Sequence, residues 1–180
     1  MTVPPQSCDV FPSAPAGAVI NSTQSFGGAH FIFASEDGTI SAWTSGAQAT
    51  VKVDNSAKAA RYKALAIGNN GTGDLLYATN FCAGTIDVFT SSFTRAPMHA
   101  GAFTDPKMPT AYAPHGIQCI GGKIYVSFAR KQGANQDDAA AAEDGFVDIF
   151  DMNGILLERA VTKGMLNSPW GLALAPMLAV

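Results

Sequence analysis

Charge is sparse in this chain of 180 residues: 11 Lys and Arg and 14 Asp and Glu amount to 14% of it, for a formal net charge of −3. The cations form no cluster, so no surface that tracks a phosphate backbone is expected, and nucleic acid is not an expected partner. No run of eighteen apolar residues occurs, so no membrane-spanning helix is expected. Met1-Thr2-Val3-Pro4-Pro5-Gln6 has no basic stretch leading into an apolar one and does not read as a secretory signal. There are three cysteines, Cys8, Cys82 and Cys119, and no two stand at the short spacing of a metal or redox pair. Cys119, within Ile117-Gln118-Cys119-Ile120, reads as a small buried hydrophobe. A disulfide between two of the three stays open.

The familiar signatures of catalysis are missing too. There is no Gly-x-Ser-x-Gly elbow. The glycine clusters join strand to strand, so none is a phosphate-binding loop that opens a helix. His30 and His99 have no close second His and no helical His-Glu pattern, so no zinc constellation is visible. The acidic stretch Gln136–Asp144 lacks the Asp/Asn-and-Gly spacing of a calcium loop and reads as a solvated charged loop. The sequons Asn21-Ser22-Thr23 and Asn70-Gly71-Thr72 read as turn chemistry.

Apolar residues and glycine are plentiful: 47% of the chain is hydrophobic and 18 residues are Gly. This is a globular composition, long enough for one domain with a sizeable core. One phrase occurs three times, as Glu36-Asp37-Gly38-Thr39-Ile40-Ser41-Ala42-Trp43, Cys82-Ala83-Gly84-Thr85-Ile86-Asp87-Val88-Phe89 and Glu143-Asp144-Gly145-Phe146-Val147-Asp148-Ile149-Phe150. A turn glycine followed by an alternating strand that ends in an aromatic marks a repeat. A second phrase interleaves with it: Pro114-His115-Gly116-Ile117 is matched by Pro169-Trp170-Gly171-Leu172, by Pro15-Ala16-Gly17-Ala18 and, at the corresponding place, by Tyr62-Lys63-Ala64-Leu65. Its intervals are 47 positions from Gly17 to Ala64, 52 from Ala64 to Gly116 and 55 from Gly116 to Gly171. A unit near fifty residues is the length of a propeller blade.

Each unit reads as four strands. The first is a short apolar run, as in Ala64–Ile67, Ile117–Ile120 and Leu172–Ala175. The second is Phe31–Ala34, Leu75–Thr79 or Ile124–Phe128, and the third is the threefold phrase. Thr50–Val53 and Leu156–Val161 supply a fourth. The expected fold is therefore all-β, a β-propeller of four-stranded antiparallel blades with about three blades present. Their expected extents are 15–60, 61–113 and 114–168, with the first strand of a further blade at 169–176. Met1–Ala14 is expected to be an irregular tail, and Lys131–Asp144 an inserted surface loop. The recurring Asp87 and Asp148 read as structural, each bonding to backbone or to a neighbouring strand.

Phe31–Trp43, Gly101-Ala102-Phe103-Thr104-Asp105-Pro106 and Leu166–Pro176 resemble an uncharacterised bacterial family of β-propellers related in style to NHL-repeat proteins, over nearly the whole chain from Pro15 to Pro176. The resemblance implies a propeller, often exported, with no established activity. Members of that family run on through further blades. This implies that the chain is about half of a six-bladed ring, with truncation the favoured reading, and pairing of two copies through open blade edges to close a ring or a marginally stable open half the others.

In a propeller the first strands line a central channel, and function gathers where the loops entering them meet the turns between second and third strands. The entering loops supply Lys63, His115 and Trp170, and the turns supply Glu36, Asp37, Asn80, Phe81 and Arg130. The expected ligand-binding residues are Lys63, His115, Trp170, Asn80 and Arg130, and the expected partner is a protein, a peptide or a small polar ligand. The leading expectation is a non-enzymatic binding module of an exported bacterial protein, without a cofactor. The alternative is a lactonase-like hydrolase or lyase with a central divalent ion, for which Glu36, Asp37 and Asn80 are the natural donors.

Overall fold

The computed structural model describes residues 14–132, 137–139 and 145–175. The expected tail, Ala14 excepted, lies outside these residues. The described chain is almost entirely strand and turn, and its helical pieces are two single 3-10 turns, Phe26–Gly28 and Ser56–Lys58.

Twelve strands follow in order: β1 (Pro15–Ile20), β2 (Phe31–Ser35), β3 (Thr39–Trp43), β4 (Thr50–Asp54), β5 (Tyr62–Asn69), β6 (Asp74–Asn80), β7 (Thr85–Thr90), β8 (Tyr112–Ile120), β9 (Lys123–Gln132), β10 (Asp137–Asp138), β11 (Gly145–Phe150) and β12 (Leu156–Thr162). They form three open antiparallel sheets, each a meander: β1-β2-β3-β4, β5-β6-β7, and β8-β9-β11-β12 with the short β10 also on β9. The three copies of the threefold phrase become β3, β7 and β11, each the third strand of its sheet.

The middle sheet has three strands rather than four. Beyond β7 the chain returns beside it only briefly: Arg95 bridges Phe89, and the Ala96 N–H donates to the Val88 carbonyl. Pro97 follows and has no N–H to extend the ladder. Leu172–Ala175, expected as a strand, joins no ladder among the described residues. The expected loop from Lys131 begins instead as strand: β9 runs through Gln132, with Lys131 and Gln132 opposite Asp138 and Asp137. The rest of that insertion lies outside the described residues.

Alternation divides each strand between two cores. Ile32, Ala34, Ile40 and Ala42 of the first sheet pack with Leu65, Leu76, Ala78 and Phe89 of the second. The other face of the second sheet, with Leu75, Tyr77, Ile86 and Val88, packs with Ile124, Val126, Phe128, Phe146 and Phe150 of the third. The Tyr77 hydroxyl is buried there and donates to the Met152 carbonyl at 2.8 Å.

The first strands approach one another closely where the second phrase recurs. A Cβ on Gly17 would stand 2.8 Å from the Ala64 Cα, and one on Gly116 would run into the Trp170 carbonyl. Only glycine admits a neighbouring backbone at such range. The recurring glycine is thus a packing position.

Candidate functional site

Each first strand carries a β-bulge at the recurring phrase. The register shifts between Pro15 and Gly17, between Tyr62 and Leu65, and between Pro114 and Ile117. In β5, Lys63 and Ala64 together oppose Thr79; in β8, His115 and Gly116 together oppose Ser127. A bulge leaves one residue unpaired and re-aims side chains. Here a hydroxyl completes the pairing. Thr79 Oγ1 accepts the Ala64 N–H at 2.9 Å and donates to the His115 carbonyl of the next sheet at 2.9 Å. Ser127 Oγ accepts the Gly116 N–H at 2.9 Å and donates to the Pro169 carbonyl at 2.6 Å. The same device therefore fixes the bulges of β5 and β8 and joins each to the following unit.

The bulges bring together residues from all three sheets. Lys63 Nζ donates to Glu36 Oε1 at 2.6 Å, with the lysine side chain 2% exposed and the glutamate 18%. The same ammonium lies 5.7 Å from the Phe81 ring centroid and 5.6 Å from that of Trp170. His115 is fully buried and packs on both rings, 4.5 Å from Trp170 and 5.3 Å from Phe81. Trp170 Nε1 donates to the Lys63 carbonyl at 3.3 Å, and 42% of the residue remains exposed. A buried ammonium is tolerable when it is paired and faces aromatic π-density, and this one has both.

Of the expected ligand-binding residues, Lys63, His115 and Trp170 meet in this cluster. Asn80 belongs to an adjacent network. Its Oδ1 accepts the N–H groups of Arg61 and Ala83, and its Nδ2 donates to Asp87 Oδ2 at 3.2 Å. Arg130 is exposed on β9, opposite Tyr112 and two register positions from the bulge. The three expected metal donors are each engaged by protein. Glu36 pairs with Lys63, Asn80 serves the network just described, and Asp37 Oδ1 accepts the N–H and hydroxyl of Thr39 at 3.0 and 2.7 Å, an Asx turn. Among the described residues no group of three or more His, Cys, Asp or Glu is placed to hold a metal ion.

The recurring aspartates each meet an arginine that follows their strand. Asp87 pairs with Arg95 at 2.8 Å and accepts the buried Tyr62 hydroxyl at 2.9 Å. Burial, reinforced by the Asp87 carboxylate, raises the pKa of that phenol. Asp148, fully buried, lies 3.5 Å from Arg159 Nε, while the other end of the guanidinium pairs with Asp105. Burial first, then the Asp105 carboxylate, push the Asp148 pKa up to about 6, against the pull of Arg159. The sequence reading missed Asp105, Arg159 and the buried Arg61. Arg61 had a visible signal: with Lys63 it places two cations at the head of an apolar strand.

Asn21 is buried, and its side chain holds Ser25, Ala29 and Thr23 together, which is turn chemistry as read. Cys82 is disulfide-bonded and Cys119 is free, so Cys119 takes no part in the pairing left open. No helix among the described residues is long and apolar enough to cross a membrane.

No family model matches the chain. It is similar to three uncharacterized proteins of Acanthamoeba polyphaga mimivirus. It is 35% identical to protein R648 over 109 residues, 58% of this chain and 27% of that one. It is 34% identical to protein L690 over 120 residues, 64% of this chain and 30% of that one. It is 29% identical to protein R640 over 151 residues, 81% of this chain and 28% of that one. These viral relatives overturn the expected membership of a bacterial family, and with it goes the basis for expecting export. The chain spans less than a third of the length of each of these relatives.

Proposed function

We propose that the chain is a run of three β-propeller blades that acts as a binding module, taking a peptide or small polar ligand at the Lys63–His115–Trp170 cluster. The propeller reading is supported by three meanders of one repeat, stacked face to face with their bulged first strands side by side. The binding reading is carried by one observation. The same bulge position in successive units, Lys63 and then His115, delivers side chains that meet Trp170, the next member of the series. Trp170 is 42% exposed and leaves indole surface for stacking, and Glu36, paired with Lys63, keeps a partly exposed carboxylate.

Selection of peptides from a displayed library, followed by titration of the selected peptide, tests this. Trp170→Ala and His115→Ala each weaken binding at least about tenfold if the peptide sits in the cluster. Undiminished binding by both variants overturns the assignment.

A further inference from the structure

The middle sheet leaves the outer edge of β7 open along its first half. In an antiparallel strand alternate residues turn their main-chain groups to opposite sides. The Val88 carbonyl accepts the Ala96 N–H, and the Thr90 N–H donates to the Thr94 carbonyl, both on the side away from β6. Ile86, two positions before Val88, therefore faces the same open side. No described residue bonds there to the Ile86 N–H or carbonyl. The other two sheets fill this place. Ile40, Ile86 and Val147 hold one position in the threefold phrase. Ile40 stands opposite Val53 of β4, and Val147 opposite Val161 of β12.

A cleft of about 350 Å³ opens beside Thr85 and Ile86. Ile86, 8% exposed, lines its inner side, whereas Arg95, His99 and Thr104 are exposed at its rim. The wall across from β7 is fastened elsewhere. The Phe103 N–H donates to the Gly154 carbonyl at 2.7 Å, and the Phe103 ring packs on Phe150 at 5.4 Å between centroids. That wall is thus tied to the third sheet and does not close on the Ile86 backbone. A main-chain N–H and carbonyl away from bulk water call for partners, and an extended chain supplies both at once.

We propose that this edge binds an extended acidic segment of a partner protein, which adds to the middle sheet as its fourth strand. The charge of the cleft selects the segment. No carboxylate lines it, while Arg95 and His99 do. The Arg95 side chain is 57% exposed and pairs with Asp87 through Nη1. The valines opposite Ile40 and Val147 show the side chain that suits the place opposite Ile86, a β-branched apolar one. The inference is independent of the Lys63–His115–Trp170 cluster, which is built on the first strands.

An NMR titration of the full ¹⁵N-labelled chain decides it. The probe is the acetylated, amidated peptide Glu-Thr-Val-Thr-Glu, taken to about 2 mM. The Ile86 amide is expected to shift and its proton to exchange more slowly, with the Trp170 indole signal unchanged. The same peptide N-methylated at valine cannot donate to β7 and is expected to bind at least about tenfold more weakly. A version with lysine at both ends is expected to bind about threefold more weakly, and Arg95→Gln to narrow that difference. An unshifted Ile86 amide overturns the proposal, as does undiminished binding of the N-methylated peptide. Equal binding of the lysine peptide overturns the acidic assignment. A response at the Trp170 indole without one at Ile86 would seat the peptide in the other cluster and overturn the proposal as well.

Discussion

Lys63 and Glu36, on the second and first sheets, form a short ion pair that is nearly closed to solvent, 2.6 Å from Nζ to Oε1. Removing only the carboxylate leaves a buried ammonium with its aromatic neighbours alone. Glu36→Gln is therefore expected to lower unfolding free energy by about 3–5 kcal/mol. Lys63→Met in the same background is expected to recover part of that loss. Urea denaturation of the two single variants and the double variant checks the sign of the coupling.

The hydroxyls opposite the bulges make a second test. Thr79→Val and Ser127→Ala each strip a partner from a bulge N–H and from a carbonyl of the next unit. Each is expected to destabilise by about 1–3 kcal/mol. Amide hydrogen exchange should accelerate at Ala64 in the first variant and at Gly116 in the second, more than at strand positions away from the bulges.

Asp148 sets a pH dependence. Its carboxyl is raised to about 6 by burial and Asp105, so folding favours the protonated form. The stabilising contribution is full below the ordinary carboxyl value and is lost as pH rises through about 6, a change of up to about 3 kcal/mol. Asp148→Asn is expected to flatten the fall in stability between pH 4 and 7. Melting curves across that range would show an unchanged slope if the carboxyl titrates normally.

Gly116 holds the segment after β12 in place. A methyl group there meets the Trp170 carbonyl and the Ser127 hydroxyl, whereas the open space at Gly73 admits one. Gly116→Ala is expected to shift indole emission to the red in a Trp43→Phe background as Trp170 lifts off His115. Gly73→Ala is expected to leave the emission unchanged.

The strands were legible because turn glycines and alternation are local signals. β3, β7 and β11 follow the threefold phrase residue by residue, and the recurring Pro-x-Gly place fell on the bulges that join Lys63, His115 and Trp170. What the sequence could not show depended on pairing at a distance. Arg159 reaches Asp105 across 54 positions and Lys63 reaches Glu36 across 27, and no local pattern links either pair. The missing fourth strand of the middle sheet turned on Pro97, a single lost donor. Leu172–Ala175 has the composition of a strand but joins no ladder among the described residues, and composition alone does not supply a partner. Source failed for a different reason: the phrases that suggested a bacterial family record a repeat within this chain, and the relatives it matches are viral.

The central claim is that units far apart in sequence meet around the Lys63 ammonium. Nuclear Overhauser spectroscopy of protein labelled at lysine and the aromatics tests it most directly. Contacts from the Lys63 ε-methylene to the ring protons of both Phe81 and Trp170, with slow exchange of its ammonium protons, are the predicted result. A Lys63 signal at solvent-exposed lysine shifts, without those contacts, would contradict the account.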